Sequence, residues 1–207
     1  MFIDVIRENF KIDEPIFTEE ILKLFPEYSN MQVFRYIKQA IINKELVQFS
    51  KGIYYMSKKT IFGDSTITAD AVVKKRYLIN KGERYGIYGG HTLQNMFQVT
   101  DQVPFVLEIV SNNESSRKRM IEIDGRRFIL RKSHTNITKD NYGAYTILQL
   151  FDDLSSGEII GNDAREEILN FKKKNNVSDE QLINMSIYFR KKVVNNMLNN
   201  KILYATT

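Results

Sequence analysis

The hydrophobic positions at the start of the chain follow the spacing of helices. Apolar residues recur at helical spacing between Phe2 and Phe10, and again after Thr18, whose hydroxyl can cap a helix start. Ser29 and Gln32 have the spacing of a capping box, in which the two side chains satisfy each other's backbone donors. Three helices are therefore predicted, the third beginning at Ser29.

The third helix is predicted to be amphipathic and to be followed by a hairpin. At 100° per residue one side is apolar and the opposite side is polar, comprising Val33, Phe34, Ile37, Ala40, Ile41 and the stem of Lys44 against Gln32, Arg35, Gln39 and Asn43. The β-prone runs LVQFS and GIYYM follow, joined through Ser50, Lys51 and Gly52, where Gly52 can adopt a positive φ. Three helices with such a hairpin predict a winged helix-turn-helix.

Beyond the short basic stretch SKKT the pattern changes, and we place a domain boundary at about residue 60. The run TADAVVKKRYLI predicts a helix that stops near Lys81 and Gly82, and YGIYGGHTLQNMF predicts a glycine-rich turn feeding a short helix. Three strands are predicted in PFVLEIVSN, KRMIEID and RRFILRK. Asp124 and Gly125 give a strong hairpin signal between the last two strands.

Helical patterns return in the final third of the chain. They occupy DNYGAYTILQLFDDL, AREEILNFKKK and DEQLINMSIYFRKKVVNNML, and Ser178 with Gln181 again has capping-box spacing. The predicted fold is thus α+β. It comprises a winged helix-turn-helix at 1–60 and a mixed α/β domain at 61–207, with a small antiparallel sheet and C-terminal helices.

Composition narrows the classes of protein without naming one. The 207 residues are 43% hydrophobic and 27% charged, which is typical of a packed globular fold. There is no cysteine, so disulfides and thiol chemistry are excluded, and no apolar run is long enough to cross a membrane. We therefore expect a cytoplasmic protein without membrane contact. The net charge of +5 is spread along the chain, so it is compatible with a nucleic-acid partner but does not by itself indicate one.

The start of the third helix and the hairpin tip are the strongest functional candidates. Arg and Gln side chains can contact base edges in a major groove, and a lysine at a wing tip can reach a phosphate. In this hypothesis Gln32, Arg35 and Gln39 contact base edges. Tyr36 and Lys38 lie nearer the DNA backbone, and Lys51 contacts a phosphate. The predicted DNA-binding residues are Ser29, Asn30, Gln32, Arg35, Tyr36, Lys38, Gln39 and Lys51. The alternative is that this face is only the solvated side of an ordinary helix.

The sequence patterns around the remaining candidate residues favour structural roles. Residues 86–92 lack the Gly-Lys-Ser/Thr step of a phosphate loop, and neither His91 nor His134 has a partner at metal-ligand spacing. The carboxylates of Glu108, Glu122 and Asp124 could imitate a Mg²⁺-dependent nuclease, but the usual acidic-x-lysine step is missing. The basic triplets 172–174 and 190–192 are interpreted as solvated helix ends that could supplement phosphate contacts. No catalytic residue, cofactor or metal is therefore predicted.

Two stretches of the sequence resemble one protein family. The segment SNMQVFRYIKQAIINKELVQFSKGIYYM resembles the winged-helix start of AbiEi-type antitoxins, from the type IV, abortive-infection toxin–antitoxin systems of bacteria. The segments YGGHTLQNMFQVTDQVPFVLEIVSN and RKRMIEIDGRRFILRK are similar to that family's glycine turn, short helix, "T-x-Q-V-P" step and paired strands. The resemblance covers roughly residues 15–150.

This resemblance implies an autorepressor that binds double-stranded DNA at its own operator. It also implies that the second domain counteracts a co-encoded nucleotidyltransferase toxin without forming a stable complex with it. The chain departs from the family in the sparse positive charge of residues 1–60, which argues against strong DNA binding by a single copy. Binding as a homo-oligomer on DNA could compensate for this low charge. The rival hypotheses are a winged helix that contacts a protein or senses a ligand, and an enzyme in the second domain.

Overall fold

The computed structural model describes residues 2–204 and divides the chain into two compact units, Met1–Lys75 and Arg76–Thr207. The division lies later than the predicted boundary near residue 60. Residues after the hairpin remain part of the first unit because the Lys75 ammonium lies 2.8 Å from a Glu14 carboxylate oxygen and 2.9 Å from one of Glu20. These ion pairs are largely buried and fasten the end of the unit to its beginning.

The first unit contains the three predicted helices and the predicted hairpin. Its elements are α1 (Phe2–Asn9), β1 (Ile16–Phe17), α2 (Thr18–Leu24), α3 (Asn30–Ile42), β2 (Val47–Ser50), β3 (Ile53–Tyr55), β4 (Lys59–Thr60), β5 (Gly63–Asp64) and α4 (Ala69–Val73). The strands β1, β3 and β2 form an antiparallel sheet in that order. The short strand β1 was not predicted, because two residues are too few to show an alternating pattern.

The apolar sides of α1, α2 and α3 form the core of this unit. Ile6, Ile21 and Val33 are inaccessible to solvent, together with Ile16 of β1. Phe34 was placed on the apolar side of α3, but 48% of this residue is exposed. It lies at the edge of the arc of α3 that the core covers, so the core does not reach it.

The second unit begins within a π-helical turn, Lys74–Leu78. Its further elements are β6 (Ile79–Asn80), β7 (Glu83–Arg84), β8 (Gly86–Gly89), α5 (Gly90–Met96), β9 (Leu107–Ser111), β10 (Arg119–Ile123), β11 (Arg126–Lys132), α6 (Tyr142–Asp153), α7 (Asn162–Lys174), α8 (Asp179–Ser186) and α9 (Lys192–Asn199). The chain is therefore α+β. None of the helices between Phe2 and Tyr204 has the length and apolar character that a membrane span requires.

A four-stranded sheet in the order β10-β11-β9-β8 carries the second unit. Asp124 and Gly125 both have positive φ and close the predicted β10–β11 hairpin. The predicted sheet was antiparallel, whereas β9 and β11 pair in parallel. The chain places β10 at the edge and returns along β11 beside β9, so β11 runs in the direction of β9. The segment 86–89 was predicted as a turn, but it pairs with β9 and forms the other edge.

The last predicted helix is broken into α8 and α9. Between them Phe189 turns inward, and its ring lies 5.1 Å from that of Tyr145, measured between ring centroids. The next residue, Arg190, hydrogen-bonds with Asp152 of α6. The chain leaves the helical conformation here, and Phe189 and Arg190 both contact α6.

Helix α6 is buried on every side and carries two adjacent carboxylates. Asp152 is only 1% exposed, and its oxygens accept hydrogen bonds from Arg190 Nε at 2.6 Å and Nη2 at 2.9 Å. His134 Nε2 lies 3.5 Å from the same carboxylate. Burial opposes ionisation, but His134 and Arg190 outweigh it and hold the pKa of Asp152 well below its usual range.

Asp153 is held by a second set of partners. Arg131 Nη1 lies 2.8 Å from Asp153 and 2.6 Å from Glu108, and the backbone N–H of Gly90 donates to Asp153 at 2.7 Å. Burial lowers the pKa of the Arg131 guanidinium, but the two carboxylates outweigh it and hold that pKa above its ordinary value. This network joins β9, β11, α6 and the start of α5.

The first prediction concerns Gly90, which has a φ of +53°. A Cβ at this position would lie 2.7 Å from a carboxylate oxygen of Glu108. Gly90→Ala should lower the free energy of unfolding by about 2–4 kcal/mol, because it adds backbone strain and displaces a buried ionic group. Urea unfolding measures the change. The control is Gly157→Ala, where φ is +77° but no atom lies within 4 Å of the added Cβ. Equal losses in both variants would contradict the proposed clash.

The second prediction concerns the pH dependence that Asp152 gives to stability. Because its folded-state pKa is lowered, its contribution is complete above the unfolded-state pKa of about 4 and is lost as the pH falls below it. Asp152→Asn should lower the free energy of unfolding at pH 7 by about 1–3 kcal/mol and reduce its fall between pH 5 and about pH 2. Urea unfolding across this range tests it, with the exposed Asp101→Asn as control. An unchanged pH profile would refute the assignment.

Candidate nucleic-acid interface

The start of α3 has the predicted capping box. The Ser29 hydroxyl oxygen accepts a hydrogen bond from the Gln32 backbone N–H at 3.3 Å. In return, Gln32 Oε1 accepts from the Ser29 backbone N–H and from the Ser29 hydroxyl, both at 2.9 Å. Ser29 and Asn30 are themselves exposed, so the end of the helix is open to solvent.

This cap limits what Gln32 can contact. A bidentate contact to adenine needs both the oxygen and the nitrogen of the glutamine amide. Both acceptor positions of Gln32 Oε1 are already used by Ser29, which leaves only the amide nitrogen to point outward. The predicted base-reading role of Gln32 therefore requires the cap to open.

Two cations on the outer side of α3 have no partner within the described part of the chain. The side chains of Arg35 and Lys38 are exposed and form no hydrogen bond or ion pair with any residue from Phe2 to Tyr204. Gln39, also exposed, donates from Nε2 to Asn43 Oδ1 at 2.9 Å along the same helix. Water can replace such an exposed bond at little cost. Arg35, Lys38 and Gln39 are thus accessible to a ligand.

Tyr36 has a packing role that the sequence did not reveal. Its ring lies 5.5 Å from that of Phe2 in α1 and 5.5 Å from that of Tyr28, between centroids. Phe2 in turn stacks on Phe25 at 4.7 Å. These aromatic rings fix α3 against α1, and 38% of Tyr36 remains exposed. No spacing in the sequence links Phe2 to Tyr36, because the contact joins separate helices.

The β2–β3 turn presents Lys51 to solvent. Lys51 is exposed and, among residues 2–204, has no hydrogen-bond or ion-pair partner. Gly52 has a φ of +77°, and its carbonyl oxygen accepts from the backbone N–H and the hydroxyl of Thr18 at 3.0 and 3.2 Å. The turn that carries Lys51 is therefore fastened to the start of α2.

Exposed apolar side chains share this unit with the cations. Met31 and Ile42 are 74% and 64% exposed and, by helical spacing, lie on the same side of α3 as Arg35 and Lys38. The β4–β5 hairpin carries Ile61 and Phe62 at its tip, exposed by 92% and 95%. The sequence pattern placed Met31 and Ile42 within the third helix and predicted no element at Ile61 and Phe62, so none of the four was predicted to be a surface feature.

The carboxylates and the glycine-rich segment considered as alternative sites do not come together as a metal or phosphate site. Strand β11 lies between the strands that carry Glu108 and Glu122, and Asp124 is exposed in the hairpin turn. Among the described residues no group of three His, Asp or Glu side chains could hold a metal ion. Within the glycine-rich segment, the Gly90 N–H is occupied by Asp153.

Both histidines and three residues of the basic triplets have partners within the fold. His91 Nδ1 lies 3.0 Å from Gln94 Oε1. Lys172 was interpreted as part of a solvated helix end, but it is largely buried, with its ammonium 2.5 Å from Asp179. Lys192 donates to the carbonyl oxygen of Leu154. The interpretation of the triplets as solvated helix ends is therefore wrong for Lys172. Lys192 and Arg190 also hold the C-terminal helices in place, although the Arg190 side chain remains 59% exposed.

No model of a known protein family matches the chain, and no curated protein matches it significantly.

Proposed function

We propose that the chain is a DNA-binding autorepressor and antitoxin whose residues 1–60 act as a winged helix-turn-helix. The observation that carries the proposal is that Arg35 and Lys38 of α3 and Lys51 of the adjoining hairpin are all exposed without partners in the described chain. Three helices followed by an antiparallel hairpin are the elements that this class of DNA-binding domain uses.

In the proposed mode of binding, α3 enters a major groove. Arg35 contacts base edges, for which its planar guanidinium is suited, while Lys38 and Lys51 contact phosphates. Gln39 can exchange its bond with Asn43 for a base, whereas Gln32 acts mainly through the cap that orders the start of α3. Few phosphate contacts give modest affinity, so binding as a homo-oligomer would strengthen the complex.

The antitoxin part of the proposal depends on the resemblance to AbiEi-type antitoxins. Residues 76–207 would counteract a nucleotidyltransferase toxin encoded beside this chain, without a stable complex. No catalytic role is assigned to this unit.

A second candidate function is a winged helix that binds a protein instead of DNA. The specific observation in its favour is the exposure of Met31 and Ile42 beside Arg35, since apolar side chains with an arginine are typical of protein interfaces. Saturable binding to operator DNA that collapses with added salt would favour DNA over this alternative.

Titration of the chain's own upstream DNA tests the proposed mode of binding. Arg35→Ala should lose about 1–3 kcal/mol of discrimination between operator and random duplex, because a base contact is removed. Lys51→Ala should weaken binding to both duplexes alike and lower the slope of affinity against salt by about one. Affinities are measured by gel shift at several salt concentrations.

The matched control is Arg127→Ala, which removes an exposed arginine from β11 of the second unit. This control should leave discrimination unchanged. If Arg35→Ala and Lys51→Ala bind both duplexes like the parent chain, the proposed face is not the DNA-binding surface.

Coexpression tests the antitoxin part separately. The full chain should restore growth of cells that express the neighbouring nucleotidyltransferase, and Arg35→Ala should restore it equally, because α3 is assigned to DNA alone. Growth is measured with the toxin on an independent promoter, so that repression does not contribute. Failure of the parent chain to restore growth would leave only the regulatory function.

A further inference from the structure

The second unit contains a cationic cleft to which the proposed function gives no role. This open cleft has a volume of about 840 Å³, within the range of small-molecule sites. Three separate segments supply its positively charged side chains: the β9–β10 loop, the end of β11, and the break between α8 and α9. The cationic and imidazole side chains that line it are Arg117, Lys118, Arg131, Lys132, Arg190 and His134.

Two of these cations are held in place by buried carboxylates. Arg131 is fixed by Glu108 and Asp153, and Arg190 by Asp152. Only part of each guanidinium is needed for these bonds, since arginine has five N–H donors. The remaining donors can serve a ligand from a fixed position, which reduces the entropy lost on binding.

The other cations give the cleft its excess positive charge. Arg117 and Lys132 are exposed and form no ion pair with residues in the described range. Lys118 lies 3.8 Å from Glu108 and is 61% exposed at its side chain, so this pairing is weak. The one acidic residue in the lining is Asp152, which Arg190 and His134 already engage.

The loop that carries Arg117 is itself anchored. Glu114 is 3% exposed and accepts from the Ser116 backbone N–H at 2.8 Å and from Arg119 Nε at 2.7 Å. The Ser116 carbonyl oxygen accepts from the Lys132 backbone N–H at 3.0 Å. The loop and the end of β11 therefore form a connected wall that presents Arg117 and Lys132.

We propose that this cleft binds the phosphate chain of a small polyphosphorylated molecule such as a nucleoside triphosphate. Arginine recognises phosphate oxygens through paired N–H donors, and lysine adds a point charge. Because the cations come from three segments around one cleft, they can surround a compact polyanion. An extended duplex would instead be expected to meet cations along an open surface. The one aromatic ring in the lining is the imidazole of His134, which already packs against Phe189 and lies 3.5 Å from Asp152, so the phosphates carry the recognition.

Isothermal titration of the full chain with ATP and with inorganic tripolyphosphate tests this proposal. Both should bind saturably at one site, and each should displace the other. The double variant Arg117→Gln with Lys132→Gln should weaken both at least about tenfold, because two charge-assisted contacts are lost. The charge-matched control, Arg127→Gln with Lys173→Gln, changes two exposed residues outside the cleft and should bind like the parent.

Several results would overturn the proposal. These are the absence of saturable binding, equal weakening in the two double variants, or ATP binding that tripolyphosphate does not displace. Displacement of ATP by a short random duplex at equal phosphate concentration would assign the cleft to DNA instead. Arg35→Ala should bind ATP like the parent chain, so a failure of the proposed operator contacts remains distinguishable from a failure at this cleft.

Discussion

Two neighbouring carboxylates on a fully buried helix constrain most of the second unit. Asp152 and Asp153 are adjacent on α6, and the burial of ionised groups is costly unless each has its own cation and hydrogen bonds. They diverge to different partners, Arg190 on one side and Arg131 on the other. The requirement for two separate cations therefore ties α6 to β11 and to the segment between α8 and α9.

This constraint explains features that local patterns cannot. The break between α8 and α9 lies where Phe189 and Arg190 must both turn to α6. Gly90 lacks a side chain where its N–H approaches Asp153 and where a Cβ would meet Glu108. The helical pattern across residues 179–198 predicted one helix, because periodicity records which side is apolar and not which residues a distant carboxylate attracts.

The parts of the fold that were predicted correctly depend on neighbours in sequence. The capping box of Ser29 and Gln32 and the hairpin at Asp124 and Gly125 involve residues three or fewer positions apart. The parallel pairing of β9 with β11 depends instead on the order of strands across the whole sheet. Such an order follows from how the sheet is packed, and a single strand's pattern carries no information about it.

At the candidate interface, helical periodicity predicted exposure well and partners poorly. Arg35, Lys38 and Gln39 are exposed as the pattern indicates, because exposure depends on which side of α3 faces the core. The competing role of Gln32 could have been recognised, since the same residues defined both the cap and the base-reading face. The contact of Tyr36 with Phe2 could not, because it joins separate helices.

Both cationic regions contain exposed cations without ion pairs in the described range, but in the cleft carboxylates also order two arginines, and this difference separates the proposed ligands. Arg35 and Lys38 are unpaired within residues 2–204, so they must lose side-chain freedom on binding but keep their full charge for a polyanion. Arg131 and Arg190 are already ordered by carboxylates, which neutralise part of their charge. The first arrangement favours salt-dependent attraction to an extended duplex, and the second favours short directed contacts to a compact phosphate chain. One chain can therefore keep two anionic ligands apart by the degree to which its own carboxylates restrain the arginines.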